Sequence, residues 1–166
     1  LGGAKVSTKI GLIENLLGRI DSLFIGGGMA ATFLKASGYN VGKSAVETDR
    51  LDFVAKFKEK AQAKGLSIFL PADVVVADKF DAGAAHKTVP VSQVPEGWLI
   101  LDIGVETINR YKQELARCQT VFWNGPLGVF EWPVFASGTN AIAVALAGHR
   151  GTTIVGGGET VAAVES

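Results

Sequence analysis

Apolar and polar positions recur along this chain with two different periods. Over residues 7–20, Ile10, Ile13, Leu16, Leu17 and Ile20 return at helical spacing, which predicts an amphipathic helix. Residues 22–25 form a short run ending in Phe24 and Ile25 and predict a strand, and residues 29–36 predict a helix that closes near Gly38. Residues 48–64 set Leu51, Phe53, Val54 and Phe57 against a face crowded with lysines, with Gly65 as the stop, and predict a longer amphipathic helix. Strands are predicted over 67–70 and 74–77, on either side of Pro71, and again over 98–101 and 120–123. Helices are predicted over 105–116 and 138–147, followed by a strand over 152–155 and the start of another helix. Residues 81–95 are polar and predict an exposed excursion. Strand and helix thus alternate along residues 1–166. That is the pattern of an α/β fold with three layers, α/β/α, around a doubly wound, mostly parallel sheet of Rossmann-like type.

Three glycine clusters punctuate the pattern: Gly2-Gly3-Ala4-Lys5, Gly26-Gly27-Gly28-Met29 and Gly156-Gly157-Gly158-Glu159. The second and third end a strand-like run and open a helix. The first follows Leu1 alone, so the strand expected before it lies outside this chain. A strand that stops in glycines and turns into a helix brings bare backbone N–H groups and a helix N-terminus close to a bound group, an arrangement that suits phosphate. Three such junctions predict strand ends that converge on one polyphosphate. The chain opens on Leu1, has its only Met at Met29, and stops at Ser166 inside the helical pattern of residues 159–165. This predicts a piece of a longer protein.

Composition narrows the picture. A chain of 166 residues holds one domain with a sizeable core, and 48% hydrophobic residues suit buried parallel strands covered by helices. The 16 basic and 16 acidic residues cancel, so nothing points to nucleic acid, and a phosphate ligand must be met by local groups. Cys118 is the sole cysteine. It excludes an internal disulfide and is expected to be a small buried apolar residue. No apolar run reaches membrane-spanning length. His86 and His149 lie in polar stretches and are expected to be solvated, whereas Trp98 and Trp132 are expected to pack.

Two short motifs suggest other chemistry. Gly38-Tyr39-Asn40-Val41-Gly42-Lys43-Ser44 looks like a phosphate-binding P-loop, but that loop needs four residues between its glycines and a preceding strand. Here there are three, and a helix precedes, so a plain turn is predicted. Gly26-x-Gly28-x-x-Ala31 fits the dinucleotide fingerprint, with Glu47 placed where a ribose-binding acid could sit. A Rossmann oxidoreductase is therefore the rival reading. Against it stands Trp123-Asn124-Gly125-Pro126-Leu127-Gly128-Val129-Phe130-Glu131, a loop after a buried strand. Asn and Glu there can bond ribose hydroxyls or phosphates, and Phe130 can wall a base.

Five blocks in one order resemble phosphoglycerate kinase: residues 1–10, Gly26 to Lys35, Leu70-Pro71-Ala72-Asp73-Val74, Trp123 to Glu131, and Gly156 to Thr160. The resemblance covers essentially the whole chain and is to that family's C-terminal, nucleotide-binding domain. It implies a second, N-terminal domain outside this chain that binds 3-phosphoglycerate. It also implies phosphoryl transfer between 1,3-bisphosphoglycerate and ADP, or 3-phosphoglycerate and ATP in reverse. Implied too are Mg²⁺ with ADP or ATP, a glycolytic role, a cytoplasmic location and a monomer. No nucleic acid or membrane partner is expected, and this piece alone is expected to be inactive.

Residue by residue, the resemblance implies these roles. Lys5 and Lys9, one helical turn apart, would neutralise charge on the nucleotide phosphates and the transferring phosphoryl group. Gly3, Ala4, Gly27 and Gly28 would supply backbone against the nucleotide. Leu101 and Phe130 would wall the adenine, Asn124 would stand on the phosphate side, and Glu131 would accept the ribose hydroxyls. Gly156, Gly157 and Gly158 would form the phosphate turn, with Glu159 as the Mg²⁺-associated acid and Thr160 after it. Three positions depart from the family pattern. Glu159 replaces a usual Asp, Ile100 a usual Gly beside the adenine pocket, and Val105 a usual Pro. Ile100 is expected to narrow that pocket.

Overall fold

The computed structural model describes residues 1–165. Thirteen regular elements follow one another: α1 (Ile10–Leu16), β1 (Ser22–Phe24), α2 (Met29–Ala36), α3 (Leu51–Ala63), β2 (Ser67–Phe69), β3 (Asp73–Ala77), β4 (His86–Pro90), β5 (Leu99–Ile103), α4 (Val105–Leu115), β6 (Thr120–Asn124), α5 (Ser137–Ala147), β7 (Thr152–Gly156) and α6 (Gly158–Glu165). Three single turns of 3₁₀ helix, at Thr48–Arg50, Val91–Gln93 and Pro133–Phe135, lead between them.

The chain is α/β, as the alternation predicts. Two ladders are parallel: β1 with β2, and β6 with β7. In β1 and β2 the side chains alternate between two apolar layers, as strand geometry requires. On one face Leu23, Ile25 and Ile68 meet Ile13, Phe33, Val54 and Phe57 from α1, α2 and α3. On the other, Phe24 and Phe69 join Tyr111, Leu115, Val121, Trp123, Ile142 and Leu146, the side covered by α4 and α5. Helices on both faces of β1 and β2 make three layers there and explain why those strands read as continuous apolar runs, whereas β6 and β7 turn one face to the second layer and leave Phe122 and Ile154 exposed on the other.

A third ladder, β4–β3–β5, is antiparallel throughout. It includes β4, which lies inside the stretch predicted to be an excursion. The correction has a physical cause. His86, Lys87 and Thr88 are exposed, so β4 shows no apolar alternation, yet its backbone pairs with the buried β3 through the whole of Asp73–Ala77. Ladder bonds need no apolar side chains.

The other differences are local. The first helix begins at Ile10 rather than at residue 7, because residues 6–9 form a turn in which the Lys9 N–H bonds the Val6 carbonyl at 2.8 Å. The P-loop look-alike is a turn: the Asn40 side chain accepts the Gly42 N–H at 3.1 Å, and Gly42 has φ +60°. His149 is half-buried rather than free in solvent. Its Nε2 is buried without a hydrogen-bond partner. His86 is exposed but sits on a strand, its ring edge-on to Phe135. Trp98 and Trp132 pack as expected, the first under the Lys87 ammonium and the second against Phe80 and Phe135. Cys118 is a half-buried free thiol, and burial, aided by Glu114 and Asp21, pushes its pKa up. No helix among the described residues is long and apolar enough to cross a membrane.

Candidate functional site

Four glycine-bearing turns meet at one end of the strands, and backbone hydrogen bonds join them. The Gly2 N–H bonds the Asn124 carbonyl and the Gly3 N–H the Pro126 carbonyl, both at 2.9 Å. The Gly27 N–H bonds Leu127 and the Met29 N–H bonds Gly3, both at 3.0 Å. The fourth turn joins through a side chain: the Gly125 N–H donates to Thr160 Oγ1 at 2.6 Å. Backbone lies this close only because side chains are absent. A Cβ on Gly27 would stand 2.7 Å from the Gly3 nitrogen and from the Pro126 oxygen. Gly27 and Gly125 also hold φ at +66° and +97°, values that strain any L side chain.

Asn124, at the end of β6, is the centre of the cluster. Its Oδ1 accepts a hydrogen bond from Lys9 Nζ. Its amide also stands beside Gly156 and Gly157, where added Cβ atoms would lie 3.2 and 3.4 Å from Nδ2. Asn124 and Lys9 are half-buried, whereas Gly157, Gly158 and Glu159 are exposed. α6 starts at Gly158, so its free N–H groups open toward solvent there. The cluster thus presents an ammonium, an amide and several bare N–H groups, which together suit an anion with several negative oxygens.

The structure therefore brings together Gly3, Gly27, Asn124, Gly156, Gly157, Thr160 and Lys9, with Ala4 and Gly28 in contact alongside them. The two lysines part company. α1 begins after both of them, so they do not share a helix face as expected. Lys5 is exposed and lies in the field of Glu47, whose carboxylate accepts the Ser7 N–H at 3.2 Å. Partial burial works to raise the Glu47 pKa, but the bonds from Ser7 and Val6 and the nearby Lys5 charge prevail and hold it below the usual range. Glu47 is thereby engaged with the lysine turn.

The loop after β6 carries the rest. Val129 N–H bonds the carbonyl of Leu101, in the middle of β5, at 2.9 Å, and Phe130 and Glu131 follow directly in the chain. Phe130 is half-buried and Glu131 exposed. Leu101 itself is 6% exposed and packs with Ala77, Ala84 and Phe135. Ile100, on the opposite face of β5, packs on the cluster around Val74 and Val76, and its N–H donates to Ser44 Oγ at 2.9 Å.

Buried polar residues that the sequence reading passed over hold this arrangement. Asp102 accepts the N–H groups of Ile103 and Gly138, at 2.8 and 2.9 Å, at the start of α5. A Cβ on Gly128 would collide with its carboxylate. Burial raises its pKa to about 7, against the lowering effect of the bonds from Gly138, Ile103 and Ser137. Asp73 caps α4 by accepting the N–H groups of Glu106 and Thr107, at 3.1 and 2.7 Å. Thr139 accepts the Leu127 N–H at 3.0 Å. The Tyr111 hydroxyl lies 2.7 Å from the Ile25 carbonyl, at the entrance to the second glycine turn. One signal for Asp102 was available: a carboxylate inside the apolar run Leu99-Ile100-Leu101-Asp102-Ile103 needs a local partner.

Among the described residues no three His, Cys, Asp or Glu side chains are grouped so as to hold a metal ion. Glu159 is thus a single exposed carboxylate beside the anion-suited turns. That fits a Mg²⁺ ion whose other ligands are phosphate oxygens and water, since Mg²⁺ commonly takes only one or two protein carboxylates.

Fold and site define an α/β domain with strand-end turns suited to a phosphorylated ligand. The chain belongs to the phosphoglycerate kinase family, whose family model, described as "Phosphoglycerate kinase", matches residues 1–166. It is 56% identical over 168 residues to the cytosolic phosphoglycerate kinase of Nicotiana tabacum and 55% identical over 165 residues to a phosphoglycerate kinase of Roseiflexus sp. (strain RS-1). Each alignment takes in 99% of this chain and 42% of the relative. Among solved structures, phosphoglycerate kinase from Coxiella burnetii matches with a TM-score of 0.97 at 47% identity, and that from Pyrococcus horikoshii OT3 with 0.79 at 30%. These also cover 99% of this chain and 42% of theirs. The chain thus spans well under half the length of the relatives it matches.

Proposed function

We propose that this chain is the nucleotide-binding, C-terminal half of a two-domain phosphoglycerate kinase. It would hold Mg²⁺ with ADP or ATP while an N-terminal domain outside the chain holds 3-phosphoglycerate or 1,3-bisphosphoglycerate. The observation that carries this reading is the convergence of the four turns on Lys9 and Asn124. Phosphoryl transfer asks little covalent chemistry of a protein: it needs alignment, neutralised charge and exclusion of water.

Each part follows from a group already described. The N–H groups of the Gly156–Gly158 turn and the start of α6 would receive phosphate oxygens. Lys9, steadied by Asn124, would offset the charge that spreads over the transferring group, with Lys5 adding a more mobile charge from solvent. Gly3, Ala4, Gly27 and Gly28 would let the nucleotide lie against backbone. Phe130 would flank the adenine, Leu101 would back that wall from the core, and Glu131 would accept the ribose hydroxyls. Glu159 would hold Mg²⁺, which would supply further charge neutralisation when bound. Apposition of the two domains would bring the substrates together, so the chain alone is expected to bind nucleotide without turning over. The tobacco relative is described as cytosolic, which supports a cytoplasmic site of action, and a monomer is expected.

The rival oxidoreductase reading loses its acid, because Glu47 is engaged with Ser7. Calorimetric titration of this chain with ADP, ADP plus Mg²⁺, and NADH tests the proposal. Tightest binding of Mg²⁺-ADP is expected, and tighter binding of NADH overturns it.

A further inference from the structure

The parallel ladder between β1 and β2 ends one donor short, and a side chain from α4 stands at the gap. In a parallel ladder, a residue whose N–H bonds one carbonyl of the neighbouring strand offers its own C=O to the N–H two positions further along that strand. The Ser67 N–H bonds the Asp21 carbonyl and the Ile25 N–H bonds the Phe69 carbonyl, both at 3.0 Å. Phe24 lies opposite Phe69, so the next donor in this register, the one for the Ile25 carbonyl, belongs to residue 71. That residue is Pro71, which has no N–H. Ile25 is fully buried, and a buried carbonyl without a donor is costly. Among the described residues no backbone N–H donates to it.

The Tyr111 hydroxyl takes that place. It lies 2.7 Å from the Ile25 carbonyl and 2.9 Å from the Phe69 carbonyl. A phenol has one proton to donate, and the Phe69 carbonyl already accepts the Ile25 N–H, so the proton belongs to Ile25. Tyr111 is buried. Burial, against the pull of Arg110 and of the Ile25 bond, holds its phenol well above the ordinary tyrosine range, so the group stays a donor. Its ring is held too: it meets Phe24 edge-on at 5.2 Å, and Phe24 stacks on Phe69 at 4.7 Å. One turn earlier on the same face of α4, Thr107 Oγ1 accepts the N–H groups of Ala72 and Asp73 at 3.0 and 3.1 Å. α4 therefore grips the chain around Pro71: Thr107 holds the two residues after it, and Tyr111 closes the ladder before it. Ile25 immediately precedes Gly26-Gly27-Gly28. Its C=O shares one rigid peptide plane with the Gly26 N–H, so whatever holds that carbonyl sets how the chain enters the turn.

We propose that Tyr111 is a positioning residue for the second glycine turn: its hydroxyl stands in for the ladder donor that Pro71 lacks and fixes the direction in which β1 enters Gly26–Gly28. It sits in the core and acts through Ile25, not on the nucleotide. The consequence for nucleotide affinity rests on the reading of this chain as a nucleotide-binding half; the consequence for the turn does not.

The test compares the full-length protein with its Tyr111→Phe, Pro71→Ala and double variants. Tyr111→Phe deletes one oxygen and keeps the ring; Pro71→Ala returns an N–H to residue 71. Read for each are amide exchange at Gly26, Gly27 and Met29, exchange across β3 as the reference, and Mg²⁺-ADP affinity by calorimetry. Tyr111→Phe is expected to speed exchange at the three turn amides about tenfold with β3 unchanged, and to weaken Mg²⁺-ADP binding about tenfold. The double variant should recover most of both, because residue 71 then donates to Ile25. Faster exchange spread equally over the turn and β3 would overturn the proposal, since the hydroxyl would then add only general stability. A double variant no better than Tyr111→Phe would overturn it too, since the missing donor would not be what the hydroxyl replaces. If the unaltered protein binds no Mg²⁺-ADP, the nucleotide reading fails, while the exchange pattern still decides the role of Tyr111. If Tyr111→Phe does not fold, the folded yield of the double variant decides: recovery supports the proposal, and an equal loss rejects it.

Discussion

The second and third glycine clusters look alike in the sequence, yet the structure uses their glycines for opposite reasons. Gly26 and Gly27 are there because other atoms are too near: added Cβ atoms would stand 2.6 Å from Leu127 Cδ2 and 2.7 Å from the Gly3 nitrogen. Gly158 has nothing within 4 Å of where its Cβ would be. Gly157 meets only side-chain atoms at 3.4 Å and beyond, although its φ of +89° still calls for glycine. The inner turn is therefore a packing joint, at which three stretches of backbone meet. The outer turn is an open cradle, kept clear for something that approaches from solvent. A shared motif does not imply a shared physical role; what lies opposite each Cα decides it.

Substitutions break or sharpen this contrast, and the largest effect belongs to the inner turn. Gly27→Ala combines a strained φ with collision against backbone that cannot swing away, and should cost about 3 kcal/mol or more of stability. A urea midpoint unchanged from the parent chain would show that the inner turn has slack. Next is Thr160→Val, which leaves the buried Gly125 N–H without its 2.6 Å partner. A loss of about 1–3 kcal/mol is expected, with weaker ADP binding because the outer turn is no longer tied to the loop after β6.

The loop against which both turns lean is pinned by Asp102, whose raised pKa carries its own signature. The carboxyl titrates near 3.8 when unfolded and about 7 when folded. Between those values the folded state binds more protons, so stability should fall as pH rises from about 4 to about 7 and level off above. The slope would be at most about 1.4 kcal/mol per pH unit. Asp102→Asn should flatten that slope in denaturation curves taken across this range; an unaltered slope would assign it to another group. The smallest stability effect belongs to the outer turn. Gly158→Ala should leave the midpoint within about 0.5 kcal/mol of the parent or raise it slightly, while ADP binds more weakly because a methyl group enters the cradle. A variant that binds ADP as tightly as the parent would remove Gly158 from the proposed site.

Much of this was legible from residue order. The helix over residues 29–36 has the predicted bounds, and most other elements differ by a residue or two, because periodicity and glycine stops act over a few neighbours. The phosphate-side cluster was legible in part, since glycine turns and lysines announce themselves. What was not legible is asymmetry: Lys9 is held by Asn124 while Lys5 stays in solvent, and Leu101 is a core residue whose carbonyl rather than side chain meets the loop. Those distinctions depend on residues more than 25 positions apart.

The sequence by itself determined the order of strands and helices, the places where backbone must be bare, and the family, since each of these is written in neighbouring residues. Tertiary structure alone decided that β4 joins an antiparallel ladder despite its polar face, and that Asp73 and Asp102 serve as buried caps. It also decided that Thr160 ties the last turn to Gly125, and that one glycine triplet is packed while the other stays open. The physical reason is the same in each case. A hydrogen bond or a collision is set by whichever atoms arrive from elsewhere in the chain, and local propensity carries no information about them.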